Sequence, residues 1–167
     1  MNRLILRAGI LFLTAAIGAT LGVPADKESL RGIRELAVVI EPLGNEVEGA
    51  GLTVDGIRTD VELKLRLAGI KVLTLAESVQ LPGSPFLYVN ATVQLSKTNS
   101  GLATFAISVT LNQAVRLIRD GSITSLASTW HTGGSGSIGK DNLRQLRDPI
   151  KDHVDEFIND YLSVNPK

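Results

Sequence analysis

The stretch HTGGSGSIGKDN, residues 131–142, carries the residue types in this chain that come nearest to a known chemistry. Gly134, Gly139 and Lys140 stand at the spacing of a phosphate-binding loop, G-x-x-x-x-G-K-[ST]. In such a loop, glycines let backbone N–H groups close around phosphate oxygens, and the lysine adds a point charge. The hydroxyl residue that should follow and hold magnesium is replaced by Asp141, whose carboxylate repels phosphate. A loop of that kind also leaves an inner strand of a parallel sheet, whereas the preceding chain here has the pattern of an antiparallel meander. Residues 133–140 are therefore expected to form a flexible glycine-rich connection, with Asp141 capping the helix that follows. Gly133, Gly134, Gly136, Gly139 and Lys140 are retained as candidates for binding a small ligand or anion.

Other chemistries find less to work with. A zinc site needs three or four converging ligands at recognisable spacing. The chain has two histidines, His131 and His153, no cysteine and no H-x-x-x-H pair, so no metal is expected. His153 has Asp152, Asp155 and Glu156 close in sequence, the pattern of a solvated polar helix face. Ser135 and Ser137 lack the G-x-S-x-G elbow of a hydrolase nucleophile, although a triad of Ser137, His153 and an acid would have to form in space and is not decided by spacing. No cofactor is implied, and the chain is expected not to be an enzyme. The alternative is a small-ligand or anion binder, or a hydrolase, using residues 133–140.

The elements that must position these residues can be read from periodicity. Residues 33–43 form a strand whose β-branched run Val38-Val39-Ile40 stops at Pro42. GNEVEGAG is expected to be a loop. In LTVDGIRTDVELKLRLAGI, Thr53 caps a helix that Gly69 ends, and Val54, Ile57, Val61, Leu65 and Ala68 fall on one stripe. Leu63 and Leu67 form a second ridge, expected to pack under a loop or neighbouring helix, with a partner surface as the alternative. IKVLTL is a short strand, and SVQLPGSP a turn region. In FLYVNATVQLSK, Leu87, Val89, Ala91, Val93 and Leu95 alternate with polar residues, as in a half-buried strand. TNSG makes a hairpin turn, and LATFAISVTLNQAVRLIR repeats the alternation. DGS turns the chain again into ITSLASTWH. The final segment is helical, with an apolar stripe from Leu143 to Leu162 and a kink or break expected at Pro149. The order strand, helix, short strand, three-strand meander, helix predicts an α+β two-layer sandwich. Its mostly antiparallel sheet of four to five strands carries two helices on one face. The other face is polar, and an edge strand is able to take up a partner strand.

Composition bounds the rest. The chain has 167 residues, 44% of them hydrophobic and 20% charged, the balance of a folded domain. Seventeen basic residues match seventeen acidic ones, so no charge excess draws it onto nucleic acid. MNRLILR opens with Arg3 and Arg7, and an uncharged run from residue 8 to residue 23 leads to VPAD. This is the pattern of a secretory signal peptide over residues 1–25, cleaved after Ala25. The apolar run is short for a bilayer span, so no stable membrane insertion is expected after cleavage. With no cysteine, a lipid anchor and disulfides are both excluded. Residues 26–167, about 140 in number, are long enough for one domain with a core of its own.

DVELKLRLAGIKVL, residues 60–73, takes a helix through Ala-Gly into a strand. In this it resembles small α+β domains of bacterial envelope accessory proteins, namely the TolB amino-terminal domain and CsgG-like domains. VDEFINDYL, residues 154–162, resembles the closing helix of uncharacterised exported bacterial proteins. The resemblance implies a periplasmic or secreted, non-catalytic domain that docks on another envelope protein, with its oligomeric state open.

Overall fold

A computed structural model of the chain describes residues 27–96 and 101–166. The expected signal peptide with its expected cleavage point, and most of the TNSG turn, lie outside the described residues. After a 3-10 turn, Lys27–Leu30, the elements run β1 Glu35–Ile40, α1 Asn45–Gly49, α2 Val54–Leu67, β2 Lys71–Leu73, α3 Leu75–Ser78, β3 Phe86–Leu95, β4 Leu102–Leu117 and β5 Asp120–Gly139. A second 3-10 stretch, Lys140–Leu146, then leads into α4, Arg147–Val164.

The five strands form one sheet in the order β2-β1-β3-β4-β5. β1 pairs in parallel with both β2 and β3, whereas β3, β4 and β5 form the antiparallel meander. This is the expected α+β sandwich, with its two long helices, α2 and α4, against one face and against each other. β1 is a continuous apolar run, with Leu36, Ala37, Val38 and Ile40 all buried, because α3 also packs against it.

Helix α2 forms for local reasons. Thr53 accepts a hydrogen bond from the Gly56 amide at 3.1 Å, Asp55 lies in the first turn, and Gly69 takes the left-handed φ of 89° that ends the helix. Its Ile57, Val61 and Leu65 are buried beside Ile150, Val154 and Phe157 of α4 in one core. Arg147 ties the two helices by donating two hydrogen bonds to the Asp60 carboxylate, both at 2.7 Å. That fork holds the Asp60 carboxyl below the usual carboxylate range.

The structure corrects several expectations. GNEVEGAG contains a short helix, α1, in which Val47 is buried. Leu63 and Leu67 are 53% and 77% exposed, because α4 meets α2 along the other ridge. The turn between β4 and β5 lies at Ile118-Arg119, ahead of DGS, whose Asp120 accepts from the Ser122 amide and hydroxyl. Asp141 does not cap the closing helix: the 3-10 stretch starts one residue earlier, with Gly139 at its cap and no side-chain bond. The break expected near Pro149 occurs between this 3-10 stretch and α4, leaving Pro149 in the first turn of α4, where a missing N–H costs little.

Candidate interaction surface

The glycine-rich run is a strand, contrary to the expected flexible connection. Gly133 lies opposite Ser108, Gly134 opposite Ile107, Gly136 opposite Phe105 and Gly139 opposite Leu102, so the four glycines extend along the β4 ladder. At roughly 3.3 Å per residue they are spread over about 20 Å, and no cradle of converging amides results. The Lys140 amide donates to the Gly101 carbonyl at 2.9 Å, so it too is engaged within the fold.

These glycines have packing reasons to be glycine. A Cβ at Gly133 would stand 2.4 Å from the Ile107 carbonyl oxygen and 3.2 Å from the Ser108 Cα, so the two backbones approach too closely for a side chain. A Cβ at Gly136 would stand 2.9 Å from the Phe105 ring, which covers it from across the ladder. At Gly134 the His153 Nε2 lies 3.4 Å from the same position, bringing α4 down onto the strand.

Alternation along β5 separates the remaining candidates. Trp130, Thr132, Gly134, Gly136 and Ile138 oppose the core-facing side chains of β4, whereas His131, Gly133, Ser135, Ser137 and Gly139 oppose Thr110, Ser108, Ala106, Thr104 and Leu102 on the other face. His131 is thus on the open face, and His153 lies on the helix side. There, His153 Nδ1 lies 3.2 Å from Thr132 Oγ1 and 3.5 Å from Glu156, and Thr132 also donates to Glu156. Ser137 and His153 have the sheet between them, so they form no triad. Among the described residues no three His, Cys, Asp or Glu side chains gather as a metal site. Trp130 is buried, donates to Asp160 at 2.9 Å and meets Phe157 edge to face at 5.1 Å, which fixes α4 over β5.

The open face is largely polar. Its cross-strand rows are Tyr88, Thr110, His131; Asn90, Ser108, Gly133; and Gln94, Thr104, Ser137. A shallow hollow of about 360 Å³ is lined by Phe86, Tyr88, Ser108, Thr110 and Asn112. Tyr88 donates to Glu41, and that bond raises the phenol above its ordinary value.

The two sheet edges differ. β2 is three residues long, with Lys71 paired to Glu35 at 2.9 Å. β5 is twenty residues long and, among the described residues, has a strand neighbour on one side only. In an antiparallel pair every second residue turns its N–H and C=O away from the neighbour, so β5 carries an outer rim of backbone donors and acceptors. Ser29 occupies this rim at Thr129, the residue that bulges opposite Leu111, by donating to its carbonyl at 3.0 Å. From His131 to Gly139 the rim has no Lys, Arg, Asp, Glu or Pro, the residues that usually blunt an exposed edge. Spacing to a motif hid this surface. The nearest signal in the sequence is the apolar alternation of β4 back to Ala103, which marks a strand long enough to pair with the glycine run.

No protein-family model matches the chain, and no curated protein matches it. Among solved structures it is similar to a PelC variant dodecamer from Paraburkholderia phytofirmans, at 13% identity and TM-score 0.43, covering 78% of this chain and 91% of that one. It is also similar to a minor lipoprotein from Acinetobacter baumannii, at 12% identity and TM-score 0.38, covering 80% and 93%. A third is the rare lipoprotein B from Shewanella oneidensis, at 12% identity and TM-score 0.38, covering 77% and 94%. At this identity and TM-score none of the three assigns a function.

Proposed function

We propose that this chain is an exported, non-enzymatic interaction domain of a bacterial cell envelope that takes up an extended segment of a partner protein on the outer rim of β5. One observation carries the proposal: a nine-residue stretch of edge, residues 131–139, with no outer strand neighbour among the described residues, free of charge and proline and rich in glycine. Glycines admit a second backbone at close range, and strand addition draws its affinity from main-chain hydrogen bonds. The amino-terminal pattern, Arg3 and Arg7 ahead of an uncharged run to residue 23, supports the envelope setting.

Two lysines test the rim. Ser135 and Ser137 lie on the open face at the edge, so Ser135→Lys with Ser137→Lys blunts it without entering the core. The tagged native chain is expected to retain a partner from its own envelope extract, and the double variant, with an unchanged melting temperature, to lose it. Equal capture by both would refute the rim as the docking surface. Amino-terminal sequencing of the exported chain should begin at Asp26. A rise in melting temperature with phosphate, a nucleotide or a phosphate ester would instead favour ligand binding at Gly133, Gly134, Gly136, Gly139 and Lys140.

A further inference from the structure

The far end of the β4–β5 hairpin has no role in the rim. β3 follows β4 no further than Asn112, and past Ala114, whose amide donates to Gly83 at 2.7 Å, the two strands continue as a two-stranded ribbon. A ribbon of that kind is marginal on its own in water. Its side chains are also unusual for a solvated tip. Ile118 is fully exposed, Leu126 more than half and Ile123 about two fifths. Arg116 and Arg119 flank Ile118, and neither has an ion-pair partner among the described residues.

The opposite end of the same sheet has complementary features. There the segment EPLGNEVEG, residues 41–49, holds Glu41, Glu46 and Glu48 and no basic residue. Between α1 and the end of β3 lies a groove of about 570 Å³, with Val47, Val93 and Leu95 in its lining and Glu46 at its margin. Glu46 is exposed and unpaired among the described residues. β4 itself, sixteen residues long, separates tip from groove by about 50 Å, so the tip cannot reach the groove of its own chain.

We infer that the ribbon tip of one molecule docks head to tail in the α1–β3 groove of a second copy. Ile118 enters between Val47, Val93 and Leu95, while Arg116 and Arg119 meet Glu46 at the groove margin. Tip and groove are on different parts of the surface, so the contact is heterologous, and repetition either closes a ring or extends a filament. The rim of β5 stays free in this arrangement, so the inference goes beyond the strand-addition proposal and does not depend on it.

Charge reversal tests the contact. The mass of the purified chain, followed by sedimentation velocity from low to high micromolar concentration, is expected to rise with concentration. Arg116→Glu with Arg119→Glu should shift the assembly midpoint to at least tenfold higher concentration, and Glu46→Lys should do the same. Each variant alone is then repulsive, but a one-to-one mixture restores attraction at every contact and should reassemble. Melting curves separate misfolding from lost contact, and Ile118→Asp, at a fully exposed position, provides a second disruption of the tip that spares the core. A chain that stays monomeric throughout overturns the inference. Assembly indifferent to the tip variants, or a mixture that fails to reassemble, does the same. Assembly abolished by the rim lysines but not by the tip variants would place self-association at the β5 edge and also overturn it. Partner capture through the rim should survive the tip substitutions, which keeps the two proposals separately testable.

Discussion

Replacing Gly133 by alanine puts a methyl group 2.4 Å from the Ile107 carbonyl oxygen and 3.2 Å from the Ser108 Cα. Both obstacles are backbone atoms of β4, so no rotamer change relieves the clash, and the strand pair must move apart at its middle. Forcing an extra methyl into a filled space costs about 1–3 kcal/mol, and the fixed backbone puts Gly133→Ala at the upper end. A domain of about 140 residues loses roughly 3 °C of melting temperature per kcal/mol, so the fall should be about 7–10 °C. Two other glycines calibrate it. At Gly136 the obstacle is the far edge of the Phe105 ring, at 2.9 Å, which can tilt, so Gly136→Ala should cost less. At Gly121 nothing lies within 4 Å, so Gly121→Ala should change stability by no more than about 0.5 kcal/mol. Urea titrations of the three variants, read by circular dichroism with m-values compared, give the ranking. If Gly133→Ala and Gly121→Ala fall within about 0.5 kcal/mol of each other, Gly133 is not held against β4, and the paired-strand account of residues 133–139 fails together with the rim built on it.

Asp60→Asn should cost about 1 kcal/mol at neutral pH by removing the forked bonds from Arg147. Because the folded carboxyl titrates below its ordinary value, the pair contributes fully above the unfolded Asp value near pH 4 and is lost as pH falls through the lower folded value. Wild type and variant should therefore converge in acid denaturation curves. Thr53→Ala leaves the Gly56 amide without its cap and should cost about 1 kcal/mol, with Thr53→Asp close to neutral; thermal melts decide between them. Trp130 is the one tryptophan in the chain. Trp130→Phe removes the bond to Asp160 and part of the indole volume, for roughly 2 kcal/mol, whereas in the wild type a red shift of its emission should coincide with loss of helical circular dichroism.

Helix α2 and strands β3 and β4 were legible from adjacent residues. Thr53, Asp55 and Gly69 punctuate a 3.6-residue period, and Leu87 to Ala91 and Ile107 to Leu111 alternate with a period of two; each device works between near neighbours in sequence. Strand β5 was half legible. ITSLASTWH reads as a strand, but GGSGS reads as a break, since glycine and serine disfavour isolated strands. The run is extended because β4 presents an unbroken partner from Leu102 onward and α4 lays His153 over Gly134. Neither condition is visible within residues 133–139. The same limit explains Leu63 and Leu67: two leucine-bearing ridges of α2 are equivalent in pattern until α4 selects one of them.

The sequence by itself determined the two long helices, strands β1 to β4 and their order, the apolar faces of β3 and β4 and the α+β layering, because caps, turns and periodicity are settled by groups a few residues apart. Tertiary structure alone decided that β1 lies parallel between β2 and β3, that the glycine run closes the sheet as its longest strand, and that this strand is an edge. Those outcomes depend on which surfaces meet after the chain has closed loops of many residues. The free energy that selects among them comes from burial and ladder hydrogen bonds between segments distant in sequence, which exist only once those segments are assembled.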